Sequence, residues 1–174
     1  MIVASIAVGS ALSFTLAGCT SAPSMSTPTA TDVWIKAVPE LMDGMAMTGL
    51  FGEFCNDSSE EIYILGGVAD DANLTTTNLD AHEVVKDDTG EMVMQEAGGG
   101  IPIPAKGCVT LKPGSYHVMF WDLLKPIAVG DKVKATIDFS NGSSLDVTAV
   151  AREIENANES YHEDSESSDS MHMD

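Results

Sequence analysis

Short runs of alternating apolar and polar residues, punctuated by turn formers and without an amphipathic helix of ordinary length, predict an all-β fold, a β-sandwich or small barrel. Taken in order, residues 48–55, 61–68, 82–85, 91–95, 108–111 and 117–120 are short apolar or alternating candidate strands. Asn-Asp-Ser, Asp-Asp, Gly-Gly-Gly and Lys-Pro-Gly breaks separate them, residues that favour tight turns over continued pairing. The last two strands are the clearest. Val133, Ala135, Ile137 and Phe139 alternate with Lys132, Lys134, Thr136 and Asp138, and Leu145, Val147 and Ala149 alternate with Asp146 and Thr148. Asn141-Gly142 between them tolerates positive φ, which predicts a hairpin.

The chain has 174 residues, which suits one domain with appendages. Its 8 Lys and Arg against 27 Asp and Glu give a net charge of −19, and a surface that acidic repels phosphate backbones, so nucleic acid is excluded as a partner. Hydrophobic residues at 44% still provide a core.

The two ends differ from the middle. No charged residue precedes Asp32, and residues 2–17 are nearly all small or apolar, so residues 1–18 read as an export signal. The segment ends in Leu16-Ala17-Gly18-Cys19, which resembles a bacterial lipobox. That resemblance implies a lipidated Cys19 and a protein anchored to the bacterial cell membrane from its extracytoplasmic side. No Lys or Arg precedes the apolar run, a departure that a start codon further upstream would remove. Residues 19–31, rich in Ser, Thr, Pro and Ala, read as a flexible linker. The folded domain is expected over 32–150. Residues 151–174 hold 8 acidic residues and almost no large aliphatics, the composition of a disordered tail.

The chemistry lies in His and Met. In His117-x-Met119 a period of two places both side chains on one face of a strand. His82 opens another candidate strand, and Met92 and Met94 share one face of a third. Imidazoles with thioethers are a soft donor set that suits copper, Cu(I) above all, better than zinc, magnesium or calcium. Each of these residues alone also reads as a surface His or a core-filling Met. No nucleophile with its base, phosphate-binding loop or framed pair of acids points to an enzyme.

His82-Glu83, Met94 twelve positions after His82, and Pro113-Gly114-Ser115-Tyr116-His117-Val118-Met119 together resemble the copper motif of the PCuAC family of periplasmic copper chaperones. Val33-Trp34-Ile35-Lys36-Ala37, Phe54-Cys55-Asn56 and Ile103-Pro104-Ala105 extend the likeness over most of residues 33–150. The resemblance implies a cupredoxin-like β-barrel that binds one Cu(I) through His82, Met94, His117 and Met119. It further implies delivery to an acceptor such as the copper centre of a cytochrome c oxidase subunit. Met119→Ala should then abolish tight Cu(I) binding with the fold intact. The 22 residues between Met94 and His117 are one more than is usual in the family, and the Gly98–Gly100 loop can absorb the extra one.

Two other functions fit the residues. His82, Cys108, His117 and Met119 follow the ligand order of a blue-copper electron-transfer site. A metal-free, lipid-anchored binding module is the other. With Cys19 lipidated, Cys55 and Cys108 form an even pair in an oxidising compartment, either joined as a disulfide or present as two thiols. In the tail, His162, Met171, His172 and Met173 repeat the donor types of the main site as an auxiliary copper collector, with Cu(II) reachable through His. An acidic solubilising tail is the simpler reading of the same residues.

Overall fold

The computed structural model describes residues 26–41, 46–75 and 78–154. Ten strands occur among them: β1 (Thr29–Lys36), β2 (Thr48–Asn56), β3 (Ile62–Ala69), β4 (Leu79–Lys86), β5 (Met92–Glu96), β6 (Ile101–Ile103), β7 (Gly107–Leu111), β8 (His117–Phe120), β9 (Lys132–Phe139) and β10 (Ser144–Arg152). The pairing runs β5-β4-β8-β2-β1-β10-β9-β3-β6, and a further β4–β3 pairing closes seven of these strands into a ring. The fold is therefore all-β and barrel-like, with β5, β6 and β7 extending the ring from β4, β3 and β2. Closure brings backbones very close on both sides of β3, against β4 and against β9. A Cβ on Gly66, at φ +129°, would lie 2.0 Å from the Leu79 carbonyl oxygen, and one on Gly67 would lie 2.1 Å from that of Thr136. Only glycine fits there.

Alternation fills the barrel. On β9, Val133, Ala135, Ile137 and Phe139 are buried, and Val147, Ala149 and Ala151 on β10 face the same core. Leu50, Phe54, Ile64, Val118 and Phe120 join them from the remaining ring strands. The β9–β10 hairpin turns at Asn141-Gly142, with Gly142 at φ +81° and the Asn141 side chain accepting the Ser143 N–H at 3.0 Å. At the end of β2 the buried Asn56 donates to Glu60 O at 2.8 Å and lies within 3.3 Å of the Ile103 and Pro104 carbonyls. This amide ties β2 to β6 and satisfies backbone groups that water does not reach.

Several expected boundaries move. The linker expected over 19–31 gives way at Thr29, because Thr29, Ala30 and Thr31 pair with Cys55, Phe54 and Glu53. Backbone pairing there needs no apolar side chain, so composition does not reveal it. The tail expected from 151 likewise starts later: Ala151 is buried and pairs with Ile35. Cys19, His162, Met171, His172 and Met173 lie outside the described residues.

Cys55 and Cys108 are directly opposite on β2 and β7, 4.0 Å apart at Cα, and are joined by a disulfide across 53 positions of sequence. The sequence left this pairing open; the register of β2 with β7 provides it.

Candidate metal centre

Two antiparallel strands far apart in sequence build the centre of the site. β4 pairs with β8 so that His82 lies directly opposite His117 and Asp80 opposite Met119. Leu79 and Ala81 of β4, with Val118 and Phe120 of β8, belong to the core, so alternation turns His82, His117 and Met119 to the opposite face. β5 adds Met94, opposite Val84 and therefore on the same face as His82. On the other side, β2 places Gly49 opposite Met119. All four residues expected as ligands thus share one face.

The geometry within that face is specific. Met94 Sδ lies 3.2 Å from His117 Nε2, and His117 Nδ1 lies 3.0 Å from the Ser115 carbonyl oxygen. A carbonyl only accepts, so Nδ1 carries the proton, and in the neutral ring Nε2 presents a lone pair toward the thioether. In that tautomer two lone-pair donors face each other at a distance from which both could hold one soft cation. The His82 and His117 rings have centroids 5.8 Å apart. His82 is 7% exposed, and its Nδ1 is buried with no hydrogen-bond partner, which costs about 1–3 kcal/mol unless something binds there. Burial, reinforced by the neighbouring His117 and opposed by Asp80, holds the His82 pKa below its ordinary value and keeps the ring neutral.

Exposure differs among the thioethers. Met119 is fully buried, Met94 is half-buried and Met92 is 46% exposed. Met92 pairs with Lys86, two residues beyond Met94 on the same face, and Met94 is the one that reaches His117. The burial of Met119 corrects the expectation that its replacement by Ala leaves the fold intact, since removing a fully buried Met side chain costs about 2–5 kcal/mol.

Aromatic side chains frame the face. The Phe51 ring lies 6.1 Å from the His117 ring and 4.5 Å from Trp34, and Trp121 stands edge-on to His82 at 5.3 Å. Gly49 makes room for this frame: a Cβ there would approach the Phe51 ring to 2.8 Å and His117 Cδ2 to 3.5 Å. Sequence reasoning missed Gly49, Phe51 and Trp121. Only Trp121 left a signal, as the next member of the His117-x-Met119-x series.

The blue-copper reading fails on Cys108. Its sulfur is bonded to Cys55, and Cys55 lies six residues along β2 from Gly49, about 20 Å at strand rise. Glu53, Cys55 and Cys108 bring donor atoms within 4.8 Å of one another, but two of the three sulfur and oxygen donors are spent in the disulfide and provide no thiolate.

Residues 29–151 match the family described as "Putative lipoprotein LpqE-like". The chain belongs to that family. A relative described as a putative lipoprotein, Lxx21020 of Leifsonia xyli subsp. xyli, is 34% identical over 128 residues, which are 74% of this chain and 71% of the relative. Among solved structures, this LpqE-like barrel is similar to the apo PCuAC domain from PmoF1, with TM-score 0.57 and 18% identity over 74% of this chain and 96% of that one. The copper-bound PCuAC domain from PmoF2 gives TM-score 0.54 and 18% identity over 74% and 95% of the two chains. Apo-DR1885 from Deinococcus radiodurans gives 0.50 and 21% over 88% and 97%. At these identities the likeness is one of fold, and the LpqE-like chain shares the PCuAC architecture.

Proposed function

We propose that this LpqE-like protein is an extracytoplasmic copper carrier that binds one Cu(I) through His82, Met94, His117 and Met119 and passes it to a membrane acceptor, such as the copper centre of a cytochrome c oxidase subunit. The observation that carries this reading is the approach of Met94 Sδ to His117 Nε2 at 3.2 Å, with His82 directly across the strand pair. Neutral imidazoles and thioethers add no charge, so they match a soft monovalent ion, and a thioether does not titrate. The fold shared with a copper-bound PCuAC domain supports the same cargo.

Hand-over follows from the unequal exposure of the ligands. Met119 anchors the ion from the buried side, while Met94 on the outermost strand of the pairing path is the ligand that an incoming donor replaces first. Exchange one ligand at a time keeps copper from passing through water. The net charge of −19 concentrates cations near the surface. Nothing in this role requires bond making in a substrate, so the protein acts as a carrier and not as an enzyme.

A lipid on Cys19 would hold the carrier at the bacterial cell membrane, and the match to lipoproteins supports that location. His162, Met171, His172 and Met173 would serve as an auxiliary collector, Cu(II) included, that feeds the folded site at high effective concentration. Mass spectrometry of the protein titrated with Cu(I) under reducing conditions tests the central reading. One tightly held copper per folded domain is expected; no stoichiometric copper would leave a metal-free binding module.

A further inference from the structure

The two imidazoles of the site are held by different means. For His117 the Ser115 carbonyl receives Nδ1–H and fixes the plane of the ring. Among the described residues His82 has no such bond at either ring nitrogen, and its Nδ1 is buried as well. Ligating histidines ordinarily have their second nitrogen fixed by a hydrogen bond, and the terminal torsion of an imidazole is broad unless something restrains it. Packing must therefore orient His82.

Of the two rings that contact His82, His117 and Trp121, Trp121 is the nearer. Its ring and that of His82 make a T-shaped pair, 5.3 Å between centroids at an interplanar angle of 64°, the arrangement that aromatic quadrupoles favour. The base of this side chain is itself pinned. The Trp121 carbonyl accepts the hydroxyl of the buried Thr75, and Asp122, at φ +46°, turns the chain immediately afterwards. Thr75 also bridges to Leu123, and Phe120 on the preceding side pairs with Thr48 of β2, so the backbone is fastened on both sides of the indole.

We infer that Trp121 is a positioning residue: its indole, packed T-shaped on the His82 ring, holds that ring toward His117 and so presets the site for copper. The inference rests on the Cu(I) reading for its consequence, but not for its first test. Without the indole, His82 divides its time among ring orientations, and affinity falls in proportion to the fraction that is competent. A ring that is competent a tenth of the time binds about tenfold more weakly.

Trp121→Leu keeps an apolar side chain over the site, and Trp121→Phe keeps an aromatic edge. In the apo protein, the wild-type His82 ring protons should show a ring-current-shifted NMR signal in a single orientation. Trp121→Leu should lose that shift and average the ring, and Trp121→Phe should retain most of it. In competition with a chromogenic Cu(I) chelator, Trp121→Leu should bind about tenfold more weakly and Trp121→Phe close to wild type. Unchanged His82 ring signals in Trp121→Leu, or failure of Phe to recover the affinity that Leu loses, would overturn the inference. Should wild type bind no Cu(I), the copper reading falls, and the apo spectra alone decide the role of Trp121.

Discussion

Met94 Sδ and His117 Nε2 meet at 3.2 Å although 22 residues separate them in sequence, because β5 and β8 flank β4 on opposite edges. Met92 shares the strand and the face but not the contact. Met94→Ala should weaken Cu(I) binding by at least tenfold, about 1.4 kcal/mol or more, whereas Met92→Ala should change it less than threefold. Chelator competition on the two variants measures both. Equal losses would mean that the two thioethers are interchangeable.

Met119, a ligand in the proposed site, has a fully buried side chain, so truncation confounds binding with folding. Met119→Leu conserves volume and should cost less than about 1.5 kcal/mol of stability, while removing the sulfur. Urea unfolding should show a near-native midpoint for this variant, and Cu(I) titration should show the loss of tight binding. Native affinity in Met119→Leu would take Met119 out of the ligand set.

The depressed pKa of His82 links stability to pH. The unfolded chain, with its His near 6.5, takes up a proton more readily than the folded one. Apo stability is therefore full above about pH 6.5 and declines as pH falls from there through the lowered folded value. Urea midpoints between pH 7.5 and 5 should decrease, and His82→Gln should flatten that decrease. Copper-loaded protein should resist the same acidification until protons displace the metal from the imidazoles.

Removing the disulfide should destabilise the domain without touching the site. Cys55 and Cys108 enclose a long loop, and Cys55→Ser with Cys108→Ser should lower stability by roughly 2–4 kcal/mol. Cu(I) affinity of the folded variant should remain native, since the disulfide and the imidazoles lie toward opposite ends of β2.

Deleting residues 161–174 separates a copper-collecting tail from a solubilising one. A collecting tail predicts fewer coppers per chain at saturation and slower loading of the folded site, with its affinity unaltered. Unchanged stoichiometry and loading rate would leave the tail without a metal role.

The period of two made the partnership of His117 with Met119 legible, because one strand suffices to define a face. The β9–β10 hairpin was legible for the same reason, with Asn141-Gly142 to turn it. Which strands lie side by side was not. That His82 faces His117 depends on β4 pairing with β8, and the close approach of Gly66 to Leu79 at the β3–β4 seam helps set where β4 sits. Local pattern contains no such information. Gly49 and Phe51 were invisible for the same reason, since β2 and β8 are neighbours only through a long-range pairing. β1 was absent from the expected strands, and at Thr29–Thr31 its pairing uses backbone rather than apolar side chains.

The parallel pairing of β1 with β10 gives the molecule a polarity. The chain enters the barrel at Thr29, beside Cys55, and Ser26 accepts a bond from Asn141 of the hairpin. It leaves at Arg152, opposite Lys36, with the guanidinium 5.6 Å from the Trp34 ring that stacks toward Phe51 and His117. These two ends of β1 are roughly 20 Å apart at strand rise. A tether attached ahead of Thr29 would draw the disulfide end toward the bilayer and leave the face of His82 and His117 outermost. If the proposed copper reading holds, an acceptor would meet that face first, and the residues that follow Arg152 would start from the same end of the barrel.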